Sequence, residues 1–286
     1  MNFILNYAKG VLVGVGGIAP GLSGSVMLLL LGLYEKTINA IGAIFKNLKQ
    51  NLLFLVPLVL GLATGALLFS KAVDYLIVSY EFQTRFLFFG LVVGTVPFFF
   101  QSVKKNGFGA RYWVMIAAAA AVGFVLFFLN NDLFPPVSDP SYLQSFFLGI
   151  AYAGSSIIPG VDSAVILSSL GLYDAFLSAM SDIDLPVLIP AGIGLVIGAV
   201  TISALMSALI KRFYTATFSI VLGLFISMIP SVLNDRTGTS LIMKMDSAPE
   251  WLLALLLVLV GFAASFYFGD VQANNQRLKR LFAKKK

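Results

Sequence analysis

The chain contains no cysteine and no histidine. The absence of cysteine excludes disulfide bonds, thiolate metal sites and cysteine nucleophiles. The absence of histidine removes the commonest proton shuttle at neutral pH and the commonest transition-metal ligand. The acidic residues show no clustered spacing of the kind that holds a catalytic metal ion. We therefore expect neither a metal ion nor a cofactor, and we expect the protein not to be an enzyme.

Charge is also scarce, because only 11% of the 286 residues are charged whereas 59% are hydrophobic. A soluble domain of this length needs more polar surface, so the solvent around most of the chain must be lipid. Lipid cannot satisfy the backbone groups of loops and open strands, and we therefore predict an all-α polytopic membrane protein. The net charge of +6 is concentrated in the C-terminal tail. We interpret this tail as a cytoplasmic anchor for anionic lipid headgroups, and not as a nucleic-acid surface.

One apolar segment occurs twice in the chain. Residues 18–35 read IAPGLSGSVMLLLLGLYE and residues 157–174 read IIPGVDSAVILSSLGLYD, with nine of eighteen aligned positions identical. Further glycines and prolines and both tryptophans recur in the same order, at offsets between 133 and 139 residues. A duplicated, broken apolar segment is how many secondary transporters form a substrate site near the middle of the membrane.

Each half of the chain contains four apolar segments. They cover about residues 3–34, 52–78, 86–103 and 112–129 in the first half, and 143–173, 185–210, 213–233 and 251–268 in the second. If all eight cross the membrane, Lys and Arg divide 11 to 8 between its two sides, which is hardly a bias. If the first segment of each half enters and leaves on one side, the division is 15 to 4, a clear positive-inside signal.

We therefore predict six spanning helices and two re-entrant helical hairpins. Three crossings per half make the two halves inverted copies of each other. The first repeat covers residues 1–131 with a hairpin at about 3–34, the second covers 132–270 with a hairpin at about 143–173, and 271–286 form the basic tail. Both termini are predicted to be cytoplasmic.

The predicted hairpin tips combine proline, which lacks an N–H, with glycine, which tolerates unusual backbone angles. Residues suited to cap a new helix follow each tip. The free N–H groups and positive dipole end of such a half-helix favour an anion, phosphate in particular. A simple kink is the ordinary interpretation of one Pro-Gly pair, but the duplication and the charge division favour hairpins. The predicted phosphate-binding residues are Pro20, Gly21, Ser23, Gly24, Ser25, Pro159, Gly160, Asp162 and Ser163.

Other polar residues are candidates for gating, coupling or charge neutralisation. Glu35 and Asp174 occupy equivalent positions after Tyr34 and Tyr173, and these four residues are candidates for gating or for coupling to a proton or sodium ion. A hydrated carboxylate at the membrane interface is the simpler interpretation of both acids. Asp162 is a further coupling candidate, with helix capping as its alternative role. The candidates for a counter-charge to the phosphate are Arg85 and Arg212.

The two signatures, PGLSGSVMLLLLGLYE and PGVDSAVILSSLGLYD, resemble the paired signatures of the bacterial polyprenyl-phosphate transporter family, formerly a family of unknown function. The resemblance covers essentially the whole chain. It extends to Pro20, Gly21, Ser23, Gly24, Gly32, Tyr34, Glu35, Pro159, Gly160, Ser163, Gly171, Leu172 and Tyr173. The second signature departs from the family pattern, which has Ser-Gly-Ser where this chain has Asp162-Ser163-Ala164.

The resemblance implies a translocase in the bacterial plasma membrane that returns undecaprenyl phosphate from the outer to the cytoplasmic leaflet for reuse in cell-wall synthesis. Such a headgroup needs a polar cleft open sideways across about 30 Å of hydrocarbon, while its isoprenoid tail stays in lipid. The residues alone leave open a transporter or channel for small anions, in which the same hairpins line a central aqueous pore. A scaffold without transport activity would not need the duplicated broken helix.

Overall fold

The computed structural model describes residues 3–17, 23–128, 135, 137–159, 161, 163–234 and 240–283. These residues are almost entirely helical, and no strand occurs among them apart from an isolated bridge between Asn234 and Ser240. In chain order the helices are α1 Phe3–Gly17, α2 Gly24–Leu30, α3 Tyr34–Gly42, α4 Leu48–Ser79, α5 Glu81–Lys104, α6 Ala110–Phe128, α7 Tyr142–Ile157, α8 Ser163–Ser169, α9 Tyr173–Asp182, α10 Leu185–Arg212, α11 Tyr214–Met228 and α12 Ala248–Ala283. Two short 3₁₀ segments, Ile229–Leu233 and Leu241–Lys244, lie between α11 and α12. The predicted all-helical class is confirmed.

In the described part of the chain, five helices are long and apolar enough to cross a membrane. Their apolar spans are Leu48–Ser79, Glu81–Lys104, Leu185–Arg212, Tyr214–Leu233 and Ala248–Ser265. They correspond to five of the six predicted spans, and the chain is a multi-pass membrane protein. The sixth prediction, 112–129, falls on α6, whose apolar part Ala110–Val125 is shorter. Beyond the last span, α12 continues to Ala283, so residues 271–283 of the predicted tail extend this helix.

Glycines bring α1 against α4 in the first half of the chain. A Cβ atom at Gly61 would collide with the carbonyl oxygen of Tyr7, and one at Gly65 with that of Val11. Because the contacting residue numbers rise together, the two helices run parallel. With 15 residues α1 is about 22 Å long, which is shorter than the hydrocarbon core of a bilayer.

The second half repeats this arrangement with α7 and α10. A Cβ atom at Gly194 would collide with the carbonyl oxygen of Phe146, and one at Gly198 would crowd Ile150. These two helices are therefore also parallel. These glycines form GxxxG pairs, and in both halves they allow close packing of the two helices.

Two further parallel pairs join the halves. Gly90 of α5 lies against the backbone of Val258 in α12, and Gly223 of α11 lies against that of Ile116 in α6. Each pair combines the third apolar segment of one half with the fourth segment of the other. The two halves are therefore interlocked, and neither forms a separate body.

Side-chain contacts define two ends of the molecule. We call the end formed by residues 34–51, 104–107 and 207–215 the basic end, because it carries seven Lys or Arg residues and one acid. The opposite end contains residues 76–86, 229–234 and 240–250. Helices α1, α4, α6 and α11 begin at the basic end, whereas α5, α7, α10 and α12 run toward it. Helices at equivalent places in the two halves thus run in opposite directions.

A short helix follows each predicted tip and ends at an equivalent glycine. Gly32 and Gly171 have φ angles of 62° and 67°, in the left-handed region that favours glycine. The N–H of Leu33 then donates to the carbonyl oxygen of Leu28 at 2.8 Å, which closes the end of α2, and α8 ends in the same way. Both half-helices thus end at equivalent positions of the repeat. Helices α3 and α9 follow directly, beyond the positions 34 and 173 at which the sequence placed the hairpin ends.

Candidate functional site

The first tip is described from Ser23 onward, whereas Pro20-Gly21 lies outside the described residues. Ser23 has an extended backbone, and its Oγ accepts a hydrogen bond from the N–H of Val26 at 3.3 Å. The predicted helix start is therefore confirmed, with Gly24 as the first residue of α2. The Oγ atoms of Ser23 and Ser25 are 2.9 Å apart, so they are hydrogen-bonded to each other.

The second tip is described on both sides of Gly160 and Asp162, which lie outside the described residues. Pro159 is buried, and Ser163 is the first residue of α8. The hydroxyl of Ser155, at the end of α7, donates to Ser163 Oγ at 2.9 Å. Each tip thus places a pair of bonded serine hydroxyls beside its helix break.

The described parts of the two tips meet between the halves. Helices α2 and α7 are in contact, and Val26 of α2 and Ile157 of α7 belong to one buried cluster with residues of α3, α5, α6, α10 and α11. The hydroxyl of Tyr34 donates to the carbonyl oxygen of Ile157 at 3.1 Å. This carbonyl is among the last of α7, which have no partner within the helix. Tyr34 therefore ties the first half to the second tip.

Glu35 joins three helices at the basic end. Its Oε1 accepts a hydrogen bond from the hydroxyl of Tyr214 at 3.0 Å and lies 3.3 Å from Nζ of Lys105. Both side chains of the ion pair are substantially exposed, so the pair contributes only about 0–1 kcal/mol to stability. Its geometric effect is to hold the start of α3 beside α5 and α11.

The rest of α3 lies along α10. Asn39 accepts a hydrogen bond from the hydroxyl of Ser207, and Gly42 lies directly against the backbone of Ala204. The hydroxyls of Thr37 and Ser203, on the same two helices, are buried without a hydrogen-bond partner. This interface is therefore close, but its buried hydroxyls are incompletely hydrogen-bonded.

Helix α9, the equivalent of α3, is arranged differently. Asp174 is exposed and Tyr173 is half-buried. No packing of α9 along α4 comparable to that of α3 along α10 is found in the described parts of these helices. The two halves are thus closed by α3 at the basic end and not by α9 at the equivalent place.

The two candidate arginines lie at different ends of the molecule. Arg85 is buried near the start of α5, where its Nε donates to Glu81 Oε1 at 3.0 Å and its Nη1 lies 3.5 Å from the carbonyl oxygen of Val232. Arg212 is exposed, with its guanidinium 5.3 Å from the ring centre of Phe213. Neither arginine forms a hydrogen bond with the described residues of the tips.

Sequence reasoning did not single out Ser155, Lys105 or Tyr214. Ser155 gave no signal because its repeat equivalent is Gly16, so the duplication does not mark it. Lys105 and Tyr214 reach Glu35 from other helices, and only the fold brings these residues together. Among the described residues, no group of three side chains is suited to hold a metal ion.

Comparison with known proteins identifies the family. The model of a family described as undecaprenyl phosphate translocase-like matches residues 42–250. The chain belongs to this family. The match covers the second tip and α4, α5, α6, α10 and α11, and it ends at the start of α12. The resemblance found in the two signatures is thereby confirmed.

Two relatives extend the similarity to nearly the whole chain. One, from Vibrio cholerae serotype O1, is 26% identical, and the alignment covers 92% of this chain and 95% of the relative. The other, from Staphylococcus aureus, is 26% identical over 95% of this chain and 98% of the relative. Both are named polyprenyl-phosphate transporter. No solved structure matches the chain.

Proposed function

We propose that this protein carries undecaprenyl phosphate, or a similar polyprenyl phosphate, from the outer to the inner leaflet of the bacterial plasma membrane. The lipid carrier would then be reused in cell-wall synthesis. Membership of the translocase-like family and the names of both relatives support this proposal. In this proposed role the protein makes and breaks no covalent bonds, and the role requires no cofactor.

The observation that carries the proposal is the contact between α2 and α7, which lie beside the two bonded serine pairs, in one buried cluster between the halves. A phosphate in a low-dielectric interior needs several hydrogen-bond donors, because an unpaired ion there is very costly. Hydroxyls supply donors without a fixed charge, so the site can also stand empty. The proposed headgroup site consists of Pro20, Gly21, Ser23, Gly24, Ser25, Pro159, Gly160, Asp162 and Ser163, to which we add Ser155.

The opposite directions of equivalent helices support an inverted duplication. We propose two repeats, residues 1–131 and 132–270, each with a re-entrant hairpin whose tip reaches the middle of the membrane. The excess of Lys and Arg at the basic end supports a cytoplasmic orientation for that end and for both termini. The tail after residue 270 would lie beside anionic headgroups on the same side.

The contacts of α3 support a gate at the basic end. We propose that Tyr34 and Glu35 hold this gate shut through Ile157, Lys105 and Tyr214. In the alternate state Tyr173 and Asp174 would close the opposite side. A proton or sodium ion bound at Glu35, Asp174 or Asp162 would couple the exchange to a gradient.

The two proposed counter-charges differ in setting. Arg85 is buried beside Glu81 near the opposite end, so it would meet the headgroup as the headgroup enters. Arg212 is exposed at the basic end and would meet it on exit. In both places a guanidinium can bind two phosphate oxygens at once.

The proposal is tested by following undecaprenyl phosphate in proteoliposomes with a membrane-impermeant reagent that reports the outer-leaflet pool. The native chain is expected to exchange the lipid between leaflets faster than empty liposomes do. The double variant Ser25→Ala/Ser163→Ala, which removes one hydroxyl at each tip, should slow exchange by about tenfold or more, since each hydrogen bond to a charged group contributes about 1.5–3 kcal/mol.

The matched control is Ser70→Ala/Ser102→Ala, because these hydroxyls donate to carbonyls of their own helices, α4 and α5. It should exchange lipid at the native rate. Equal slowing of exchange in both double variants would show that the tip hydroxyls have no specific role in binding the headgroup. Absence of exchange by folded native protein, together with chloride or phosphate flux, would favour a transporter or channel for small anions.

A further inference from the structure

A cavity of about 780 Å³ opens at the basic end, outside the proposed tip site. It lies between α3, the start of α4 and the end of α10. Its size is within the range of small-molecule binding sites. The lining residues are Lys36, Asn39, Ala40, Ala43, Asn47, Gln50, Asn51, Leu53, Phe54 and Lys211.

The chemistry of the lining selects an anion. Lys36 and Lys211 face the cavity from different halves of the chain, and four further lining residues carry amide groups. None of the described lining residues is acidic. Glu35 precedes Lys36 in the chain but is bonded to Lys105 and Tyr214, outside this lining. Two ammonium groups with amide donors suit a doubly charged phosphate monoester.

Part of the lining is held in place by bonds within the protein. The Nζ of Lys36 lies 4.1 Å from the ring centre of Phe54, and this ring is almost fully buried. The Asn51 amide donates to the carbonyl oxygen of Ala43 at 2.9 Å, which fixes the turn between α3 and α4. Asn39 is bonded to Ser207 on α10. These parts of the cavity wall are therefore preformed in the protein without a ligand.

Other lining groups have unused bonding capacity. The side chains of Lys211, Asn47 and Gln50 make no hydrogen bond or ion pair with the described residues. Their donors are free to bind a ligand, and their chain positions place them on two separate walls of the cavity. If Lys211 only extended its ammonium group to the membrane surface, neither the neighbouring amide groups nor Lys36 would be needed.

One side of the cavity is apolar. Leu53 lines it next to Phe54 and is 57% exposed on α4, one of the helices long enough to span the membrane. The same α4 surface continues with exposed Val56 and Leu60. A cavity with cationic groups on one side and an apolar exit toward lipid matches an amphiphile better than a free ion.

We infer that this cavity is a docking site for the phosphate monoester headgroup of a lipid, with Lys36 and Lys211 as its charged ligands and Asn47 and Gln50 as donors. The inference rests on the proposed function in assigning the lipid to the transported carrier. The alternative source of the same chemistry is inorganic phosphate.

The site exists at one end only. The repeat equivalents of Lys36 and Lys211 are Ala175 and Val78, so the opposite end cannot form the same pair. The two ends therefore present different chemistry to the headgroup. If the basic end is cytoplasmic, the site receives the carrier after the transfer and holds it in the inner leaflet for the next enzyme.

Native mass spectrometry of the full chain in phosphatidylcholine nanodiscs with added undecaprenyl phosphate tests the inference. Lys36→Gln/Lys211→Gln should reduce the bound lipid about tenfold, whereas Lys36→Arg/Lys211→Arg should retain most of it. The matched control, Lys46→Gln/Lys49→Gln, removes the same charge from exposed residues of the basic end outside the lining and should bind normally.

Each outcome decides a separate point. Equal loss in both glutamine variants would overturn the site, because general charge would then explain binding. Displacement of the lipid by millimolar inorganic phosphate would assign the cavity to the free ion, and displacement by phosphatidylglycerol would reduce it to a general anionic-lipid surface. Binding lost in Lys36→Gln/Lys211→Gln while the native chain fails to exchange lipid would sink the transport function but keep the site. Normal lipid exchange by the native chain, together with unchanged binding in Lys36→Gln/Lys211→Gln, would support the transport function and overturn the site.

Discussion

At the scale of single residues, the most consequential side chain is Tyr34. Its hydroxyl satisfies a carbonyl at the end of α7, and its ring packs edge-on against Phe218 at 6.2 Å. These contacts link α3, the proposed gate, to the second tip and to α11. One hydroxyl group thus connects both halves of the proposed site.

Removal of this hydroxyl should destabilise the protein. Tyr34→Phe keeps the ring but leaves the Ile157 carbonyl buried without its donor, at a cost of about 1 kcal/mol, since interhelical hydrogen bonds in membranes are modest. The thermal unfolding midpoint in detergent, followed by tryptophan fluorescence, should fall. Tyr75→Phe is the control, because Tyr75 is 61% exposed. A midpoint for Tyr34→Phe equal to that of this control would contradict the proposed link.

The sequence predicts local features of single residues better than long-range partners. Ser23 could be assigned as a cap because capping depends on neighbours within one helical turn. The Tyr34 bond could not, because its acceptor is 123 residues away and lies at the end of a helix whose position depends on the whole fold. The contacts of Glu35 could not be predicted either, because Lys105 and Tyr214 are also distant in the sequence.

At the scale of helices, glycine contacts decide which partners pack. In α10, Gly194 lies directly against the backbone of Phe146 in α7, whereas a Cβ at Gly192, on the same helix, would meet nothing within 4 Å. These two glycines are only two residues apart on one helix, so their substitution distinguishes the effect of packing from the effect of helix propensity.

Substitution of these two glycines should have opposite effects. Gly194→Ala forces α7 and α10 apart and should cost about 1–3 kcal/mol, in line with overpacked cores. Gly192→Ala should be neutral or stabilise the helix by up to about 1 kcal/mol, because alanine is the better helix former. Thermal unfolding in detergent measures both. Equal midpoints would show that the α7–α10 contact is looser than the structure has it.

The sequence predicted the long helices well and the short ones poorly. Apolar length alone placed α4, α5, α10, α11 and α12, whereas the recurring glycines did not name the helices that pack against them. It gave no sign of α3 and α9, because both are short and begin directly after the glycines that end α2 and α8. Local propensity is a weak guide at that length.

At the scale of the whole molecule, the two halves pair equivalent helices in the same way and in opposite directions, but they differ in closure. Duplication and charge counting predicted the opposite directions, since both depend only on sequence order and composition. They could not predict that α3 closes on α10 while α9 does not close on α4. Two equivalent interfaces in different states are what alternating access between inverted halves requires.

This difference predicts a second conformation that cross-linking can capture. The chain has no native cysteine, so introduced pairs react alone. Asn39→Cys/Ser207→Cys replaces a bonded pair and should cross-link readily with a short, reducible thiol reagent. The linked protein should stop exchanging undecaprenyl phosphate and recover on reduction, because α3 can then leave α10 again.

The repeat equivalents of this pair are Ser178 and Asp74, on helices that do not pack together in this conformation. Ser178→Cys/Asp74→Cys should therefore cross-link slowly, and only as the molecule visits the state in which α9 closes on α4. Asn39→Cys/Ser178→Cys, which is adjacent in neither state, is the control and should stay unlinked. If the Ser178/Asp74 pair never links while the native chain exchanges lipid, transport does not proceed by exchange of these two interfaces. If it links and also blocks transport, the two closures are the two states of one cycle, and the inverted halves are its physical basis.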